Sequence, residues 1–203
     1  MSENPGDDVP EISGEWYRDI VDWANSTPEW VQWSMGHFTE LSIVLLALFF
    51  VVAAWPYLGR GAPGWARIGA AGIGVVIAYA ASEGLKVIVD QERPCRVFAD
   101  AVIVASECPP TGDWSFPSNH STIAGALAAA VFLLSRRLGW IALLIGMLSA
   151  FSRVFVGVHY PHDVVFGFLY GVVIASLVAL LLTKPFTALL RKTTHRAKEP
   201  VNR

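Results

Sequence analysis

Apolar residues fall in long, nearly unbroken runs, not in the single stripe of a surface helix. The first run is Leu41–Tyr57, LSIVLLALFFVVAAWPY. A second covers about 65–89 and is interrupted near its end by Glu83 and Lys86. A third covers about 118–135 and is rich in small residues (AGALAAA), a fourth about 138–156, and a fifth about 163–183. A helix needs about 20 mostly apolar residues to cross a bilayer. The pattern therefore predicts an all-α, polytopic membrane helix bundle with about five transmembrane helices. Trp55, Tyr57, Trp65 and Trp140 stand at run ends, where aromatic rings sit at headgroup level. Before the first run, Trp16, Ile20 and Trp23 recur at helical spacing with Asp19 and Asp22 between them. Ser26 to Glu29 reads as a capping box, with Pro28 in the first turn. One or two short amphipathic helices on the membrane surface are expected there, behind a loosely ordered acidic stretch over the first ten residues. The chain thus divides into an acidic N-terminal segment, 1–40, a five-span domain, 41–183, and a basic tail, 184–203.

Composition supports this division. Of 203 residues 54% are hydrophobic and 16% charged, with a mean hydropathy of +0.47, whereas a soluble domain carries roughly 25% charged residues. The 8 Trp, 11 Phe and 5 Tyr exclude a disordered chain. A net charge of −2 gives no support for a nucleic-acid partner. The first 40 residues hold nine carboxylates and one base, Arg18. That is the reverse of a signal peptide's basic start, so no cleaved leader is expected.

Charge position says more than the total. Alternate spans reverse direction, so connectors sort onto two membrane sides. The N-terminal segment, the connector from about 90 to 117 and the turn at His159 share one side, with five bases and sixteen acids. The connectors near Arg60 and Arg136 and the C-terminal tail share the other, with ten bases and one acid. Lys and Arg are retained in cytoplasmic loops. The expected arrangement is a multi-pass plasma (inner) membrane protein with its N-terminus outside and its C-terminus in the cytoplasm. Cys95 and Cys108 share one outer connector, where oxidising surroundings permit a disulfide. Closing that loop contributes about 3 kcal/mol in the chain-entropy picture.

The polar residues inside or beside the spans collect on the outer side. Glu83, Lys86, Asp90 and Arg93 are spaced for one helical face ending at Pro94. Taken alone they read equally as a self-neutralising ladder, with Glu83 paired to Lys86. Pro117-Ser118-Asn119-His120 opens the third run. Ser118 is a good N-cap, and a helix N-terminus favours anions. Arg153 and His159 flank the end of the fourth run, with Asp163 four residues beyond His159. Asp163 can fix one imidazole nitrogen and leave the other as base or nucleophile. Lys86, Arg93, Arg153 and the Ser118 helix start can face one anion, an arrangement suited to phosphoryl transfer. No cluster has metal-ligand spacing, so neither metal nor cofactor is expected. His162 reads as a rim residue.

These segments resemble the type 2 phosphatidic acid phosphatase superfamily. Its three motifs stand here as Lys86 to Arg93-Pro94 (K-x6-RP), Pro117 to His120 (PSGH) and Ser152-Arg153, His159 and Asp163 (SR-x5-H-x3-D). The resemblance covers about residues 41–183. Asn119 replaces the motif glycine, as in the bacterial undecaprenyl-diphosphate phosphatase branch, and five spans stand where six are usual. The resemblance implies a metal-independent lipid phosphatase with an outward-facing site. In it His159 is the nucleophile that forms a phosphohistidine, Asp163 its orienting partner and His120 the acid and then base. Lys86, Arg93, Ser118, Asn119 and Arg153 hold the phosphoryl oxygens. A polyprenyl diphosphate is the substrate it favours. Phosphatidylglycerophosphate, phosphatidic acid or a decaprenyl-linked phosphoribose phosphate are alternatives, since the motifs grip phosphate and not the tail. A non-catalytic headgroup transporter is the alternative of another class.

Overall fold

A computed structural model describes residues 9–196, with side chains through residue 193. Residues 1–8 of the expected acidic lead and the last seven residues of the basic tail, including Lys198, Glu199 and Arg203, fall outside it. The described chain is helical, with no strand among the described residues: α1 Glu11–Ser26, α2 Glu29–Ala54, a 3-10 turn Trp55–Arg60, α3 Gly61–Val89, α4 Pro94–Val97, α5 Asn119–Leu134, α6 Arg136–Phe155 and α7 Pro161–Arg196.

Three stretches are long and apolar enough to cross a membrane: Glu29–Val97, Arg136–Phe155 and Pro161–Thr193. The expected count of five differs for two reasons. The first stretch holds both α2 and α3, joined by the 3-10 turn, and α5 has only 16 residues. The end of α2 and the C-terminal end of α5 share a core of Ala53, Ala54, Val131 and Leu134. The end of α3 returns to the start of α5 through Ser82, whose hydroxyl donates to Asn119 Oδ1 at 2.7 Å. The two helices of the first stretch are therefore antiparallel.

α5 is the central helix and packs against α2, α3, α6 and α7. Its sequence explains that position. Ala124, Ala126, Ala128, Ala129 and Ala130 are all buried, so neighbours can approach from every side. The approach of α7 is closest. A Cβ on Gly125 would lie 2.2 Å from the Phe168 carbonyl oxygen, and one on Gly171 2.1 Å from that of Thr122. Only glycine leaves the backbones room to touch.

α1 folds over the motif-bearing end. Tyr17 is fully buried, stacks on Phe98, meets Tyr160 at a tilt, and donates its hydroxyl to the Gly157 carbonyl at 2.9 Å. Burial holds this phenol above its ordinary range. The face sunk into the protein is Tyr17, Val21 and Ala24, while Trp16 and Trp23 stay more than half exposed. The tryptophans therefore mark the outer face of α1 and not its packed one. The expected capping box is absent. Ser26 closes α1 by donating to the Trp23 carbonyl, and α2 starts at Pro28 with no side-chain cap. α2 then runs unbroken through residue 40.

Candidate active site

α3 stops at Val89, where Asp90 takes a left-handed conformation (φ 43°). Arg93 therefore lies outside the helix, contrary to the expected single helical face. The loop after it is tied by the Cys95–Cys108 disulfide and by Arg96. Arg96 pairs with Glu92 at 2.5 Å and donates to the carbonyls of Pro109 and Pro110. Arg96 thus braces the loop that carries Asp113 and does not line the cleft described next.

One cleft of about 580 Å³ opens between α2, α3, α5, α6 and this loop, and Lys86, Arg93, Asn119, His120, Arg153 and His159 all line it. Two expected residues do not. Asp163 lies fully buried behind His159. Ser118 is also fully buried, and its hydroxyl accepts from the Ser121 N–H at 3.4 Å as the cap of α5. The Ser118 backbone N–H goes to the Asp163 carbonyl at 3.2 Å. In this structure Ser118 locks the start of α5 to the start of α7; it does not reach into the cleft.

The cations meet carboxylates. Lys86 Nζ lies 2.6 Å from Asp113 Oδ1, and Arg93 Nη2 lies 2.9 Å from Asp113 Oδ2. Arg93 Nε also donates to the Asp113 carbonyl at 2.7 Å. Burial pushes the Asp113 carboxyl up, but Lys86 and Arg93 outweigh it and hold the group below its ordinary range. Arg153 reaches Thr39 Oγ1 at 3.2 Å and Glu40 Oε1 at 3.3 Å. Its buried Nε has no partner in the protein. The expected Glu83–Lys86 pair is not formed: Lys86 turns to Asp113, and Glu83 accepts from the Asn119 amide.

The histidine network has one consistent proton assignment. Arg93 Nη1 lies 3.1 Å from His159 Nε2. A guanidinium only donates, so Nε2 carries the lone pair. Nδ1–H then donates to Asp163 Oδ2 at 3.3 Å. Burial, followed by the nearby Arg93 and Arg153 charges, holds His159 well below its ordinary range, so the ring is a neutral base. Asp163 is saturated with donors. Oδ2 also receives Ser115 Oγ at 2.5 Å and the Tyr160 N–H at 2.9 Å. Oδ1 receives Gln91 Nε2 at 3.3 Å and lies 3.1 Å from His162 Nε2. His162 is thus more than a rim residue. Its Nδ1 lies 2.6 Å from Ser13 Oγ, which links α1 to the Asp163 carboxylate. On the other wall, His120 Nε2 lies 3.2 Å from Ser149 Oγ, which is itself 2.6 Å from Ser42 Oγ.

Sequence reasoning missed Asp113, Gln91, Ser115 and the role of His162. Ser115 and Gln91 stand within two residues of motif positions and are polar where burial is expected, which is a usable signal. Asp113 has none, because its place depends on how the loop closes. Among the described residues no group of three or more His, Cys, Asp or Glu could hold a metal ion.

Comparison with known proteins agrees with the motifs. The PAP2 superfamily matches residues 67–186. The chain is 41% identical over 83 residues to undecaprenyl-diphosphatase BcrC of Bacillus subtilis, covering 41% of this chain and 40% of that one. It is 31% identical over 147 residues to decaprenylphosphoryl-5-phosphoribose phosphatase of Mycobacterium tuberculosis, covering 71% and 75%. The match to the Bacillus protein thus spans less than half of that relative's length. In fold the chain is similar to the crystal structure of Aquifex aeolicus LpxE, with a TM-score of 0.65 at 22% identity over 86% of this chain and 98% of that one.

Proposed function

The chain belongs to the PAP2 superfamily, and from that premise we propose that it is an integral membrane phosphatase that cleaves the terminal phosphate from a polyprenyl diphosphate such as undecaprenyl diphosphate. The observation that carries the reading is the neutral His159, fixed through Nδ1 by a saturated Asp163, with Nε2 turned to a cation-lined cleft. Binding alone has no use for such a nucleophile, which weighs against a headgroup transporter.

In this reading α2, α3, α5, α6 and α7 cross the membrane, with the cleft outside and the C-terminus in the cytoplasm. The terminal phosphate displaces Asp113 and lies against Lys86, Arg93 and the unpartnered Arg153 Nε. His159 Nε2 attacks phosphorus as the bond to the bridging oxygen breaks. His120 gives that oxygen a proton, so the lipid monophosphate leaves. Asp163 stabilises the imidazolium of the phosphohistidine. His120 then takes a proton from water, whose oxygen attacks phosphorus. The P–N bond breaks, and orthophosphate and free His159 are restored. The protein's own donors neutralise the developing charge.

A second reading is favoured by the Mycobacterium relative, which aligns over 71% of this chain: a different lipid phosphate, a decaprenyl-linked phosphoribose phosphate among them. Phosphate release by the purified protein decides between them, with polyprenyl diphosphate, a decaprenyl-linked phosphoribose phosphate, phosphatidic acid and phosphatidylglycerophosphate offered side by side in excess EDTA. Preference for the polyprenyl diphosphate supports the first reading. Preference for another lipid replaces the substrate, and a strict need for added divalent metal removes the mechanism.

A further inference from the structure

A second cleft of about 310 Å³ lies at the opposite ends of the same helices. Its cations are Arg67 on α3 and Lys184 on α7; its walls are apolar, including Ala71, Leu134, Ala179 and Leu180. Lys86 and Arg67 sit 19 positions apart on α3, which at helical rise separates the two clefts by about 28 Å.

The charges at this cleft are held in an unusual way. The described ion pairs engage Arg18, Lys86, Arg93, Arg96, Arg153 and two histidines. Arg60, Arg67 and Lys184 have no carboxylate partner among the described residues. Instead the Arg60 and Arg67 guanidiniums lie 4.4 and 5.7 Å from the centroid of the Tyr57 ring. That ring is buried, and its hydroxyl donates to the Leu134 carbonyl at 2.9 Å. Leu134 is part of the cleft wall. One aromatic ring, anchored to the wall, thus keeps Arg67 beside an apolar hollow without neutralising it.

Two unneutralised cations over an apolar floor match an amphipathic anion. A soluble anion would use the cations and leave the floor bare, whereas a lipid uses both, with its chain passing onto Leu180, which is 64% exposed on the bundle surface. We propose that this cleft binds an anionic membrane phospholipid at the membrane face opposite the phosphatase site. The phosphodiester is held by Arg67 and Lys184, and an acyl chain lies along Ala71, Ala179 and Leu180. Basic hollows between transmembrane helices are suited to such headgroups. The site does not depend on the proposed phosphatase activity.

The test is lipid retention, read by native mass spectrometry of the purified full chain taken from phosphatidylcholine membranes containing phosphatidylglycerol. Wild type is expected to retain phosphatidylglycerol in preference to phosphatidylcholine. The double variant Arg67→Gln/Lys184→Gln is expected to lose that preference by about tenfold or more, and Arg67→Lys/Lys184→Arg to keep it. Ala179→Phe fills the floor with both cations intact and is expected to lose the lipid as well. Arg136→Gln/Arg137→Gln removes two charges from the same end of the bundle, outside the cleft, and is expected to change little. The proposal is overturned if the first double variant retains phosphatidylglycerol like wild type. It is equally overturned if the Arg136/Arg137 variant loses as much, which means a diffuse basic surface, or if soluble glycerol phosphate displaces the lipid. A variant counts only when its thermal unfolding matches wild type; if none of the cleft variants folds, direct competition between the two lipids on the wild type decides, and equal retention overturns the proposal.

Discussion

Cations gather at both ends of the helix bundle, and the two ends treat them differently. At one end Lys86 and Arg93 share the carboxylate of Asp113, and Arg153 leans on Glu40. At the other end Arg60 and Arg67 lie over the face of Tyr57, and Lys184 meets no described carboxylate. A carboxylate partner is an internal competitor: any phosphate that enters must displace it, and apparent affinity falls by the fraction of time the cradle is occupied. An aromatic partner imposes no such competition. The first end is therefore arranged to bind an anion weakly and release it, as turnover requires. The second is arranged to keep one.

The most severe way to erase this contrast is to remove the chemistry. His159→Ala is expected to lower phosphate release at least about 1,000-fold while insertion and thermal unfolding stay near wild type. Both ends would then bind anions and neither would turn them over. Near-wild-type turnover would falsify the assigned nucleophile. Next in size is Asp163→Asn. It keeps the shape but upsets the proton on Nδ1, and a loss of about 100-fold or more in kcat is expected, with KM little changed. A loss confined to KM would instead assign Asp163 to binding.

Asp113→Asn makes the paired end resemble the unpaired one. Lys86 and Arg93 keep a neutral hydrogen-bonding neighbour but lose their resident anion. Orthophosphate is expected to bind roughly tenfold more tightly, measured as product inhibition. Unchanged or weaker inhibition would show that Asp113 organises the cradle and does not compete for it. The protonation state can be read directly. Because burial and the arginines depress His159, its ring is expected to remain neutral as pH falls through 6.5, the ordinary imidazole value. A 15N NMR midpoint at that value would remove the argument for a ready nucleophile. The smallest effect is expected from Glu40→Gln. The Glu40 carboxylate is 75% exposed, and exposed pairs contribute little, so KM should shift less than about threefold.

Much of this was legible in the chain. The apolar runs locate α2, α3, α5, α6 and α7, and the motif spacing puts Lys86, Arg93, Asn119, His120, Arg153 and His159 on one cleft. Such features repeat locally or sit at helix ends, where a linear reading works. The differences have two causes, one long-range and one local. Glu83 was expected to pair with Lys86 because helical spacing puts them together, but Asn119 and Asp113, from other elements, offer better partners. Ser26 was expected to cap α2, but its hydroxyl closes α1 instead. Ser118 is a cap as expected, and that role withdraws it from the cleft. The periodicity of Trp16, Ile20 and Trp23 marks α1 as a helix, but the residue that docks it, Tyr17, is set by its distant partner, the Gly157 carbonyl. Glu83, Lys86 and Tyr17 answer to contacts distant in sequence, whereas Ser26 and Ser118 are settled by bonds three residues away.

The link from Ser13 through His162 to Asp163 has a consequence in time. Ser13 and His162 are separated by 149 positions, so α1 closes onto the site only after α7 has begun. Chains emerge N-terminus first, and contacts of such long separation are slow to form. A chain made only as far as α5 therefore holds Lys86 of α3 and the Ser118 cap before His159 and its Asp163 partner exist. The cleft can therefore be lined by its cations well before the Asp163 carboxylate arrives to hold the His159 ring.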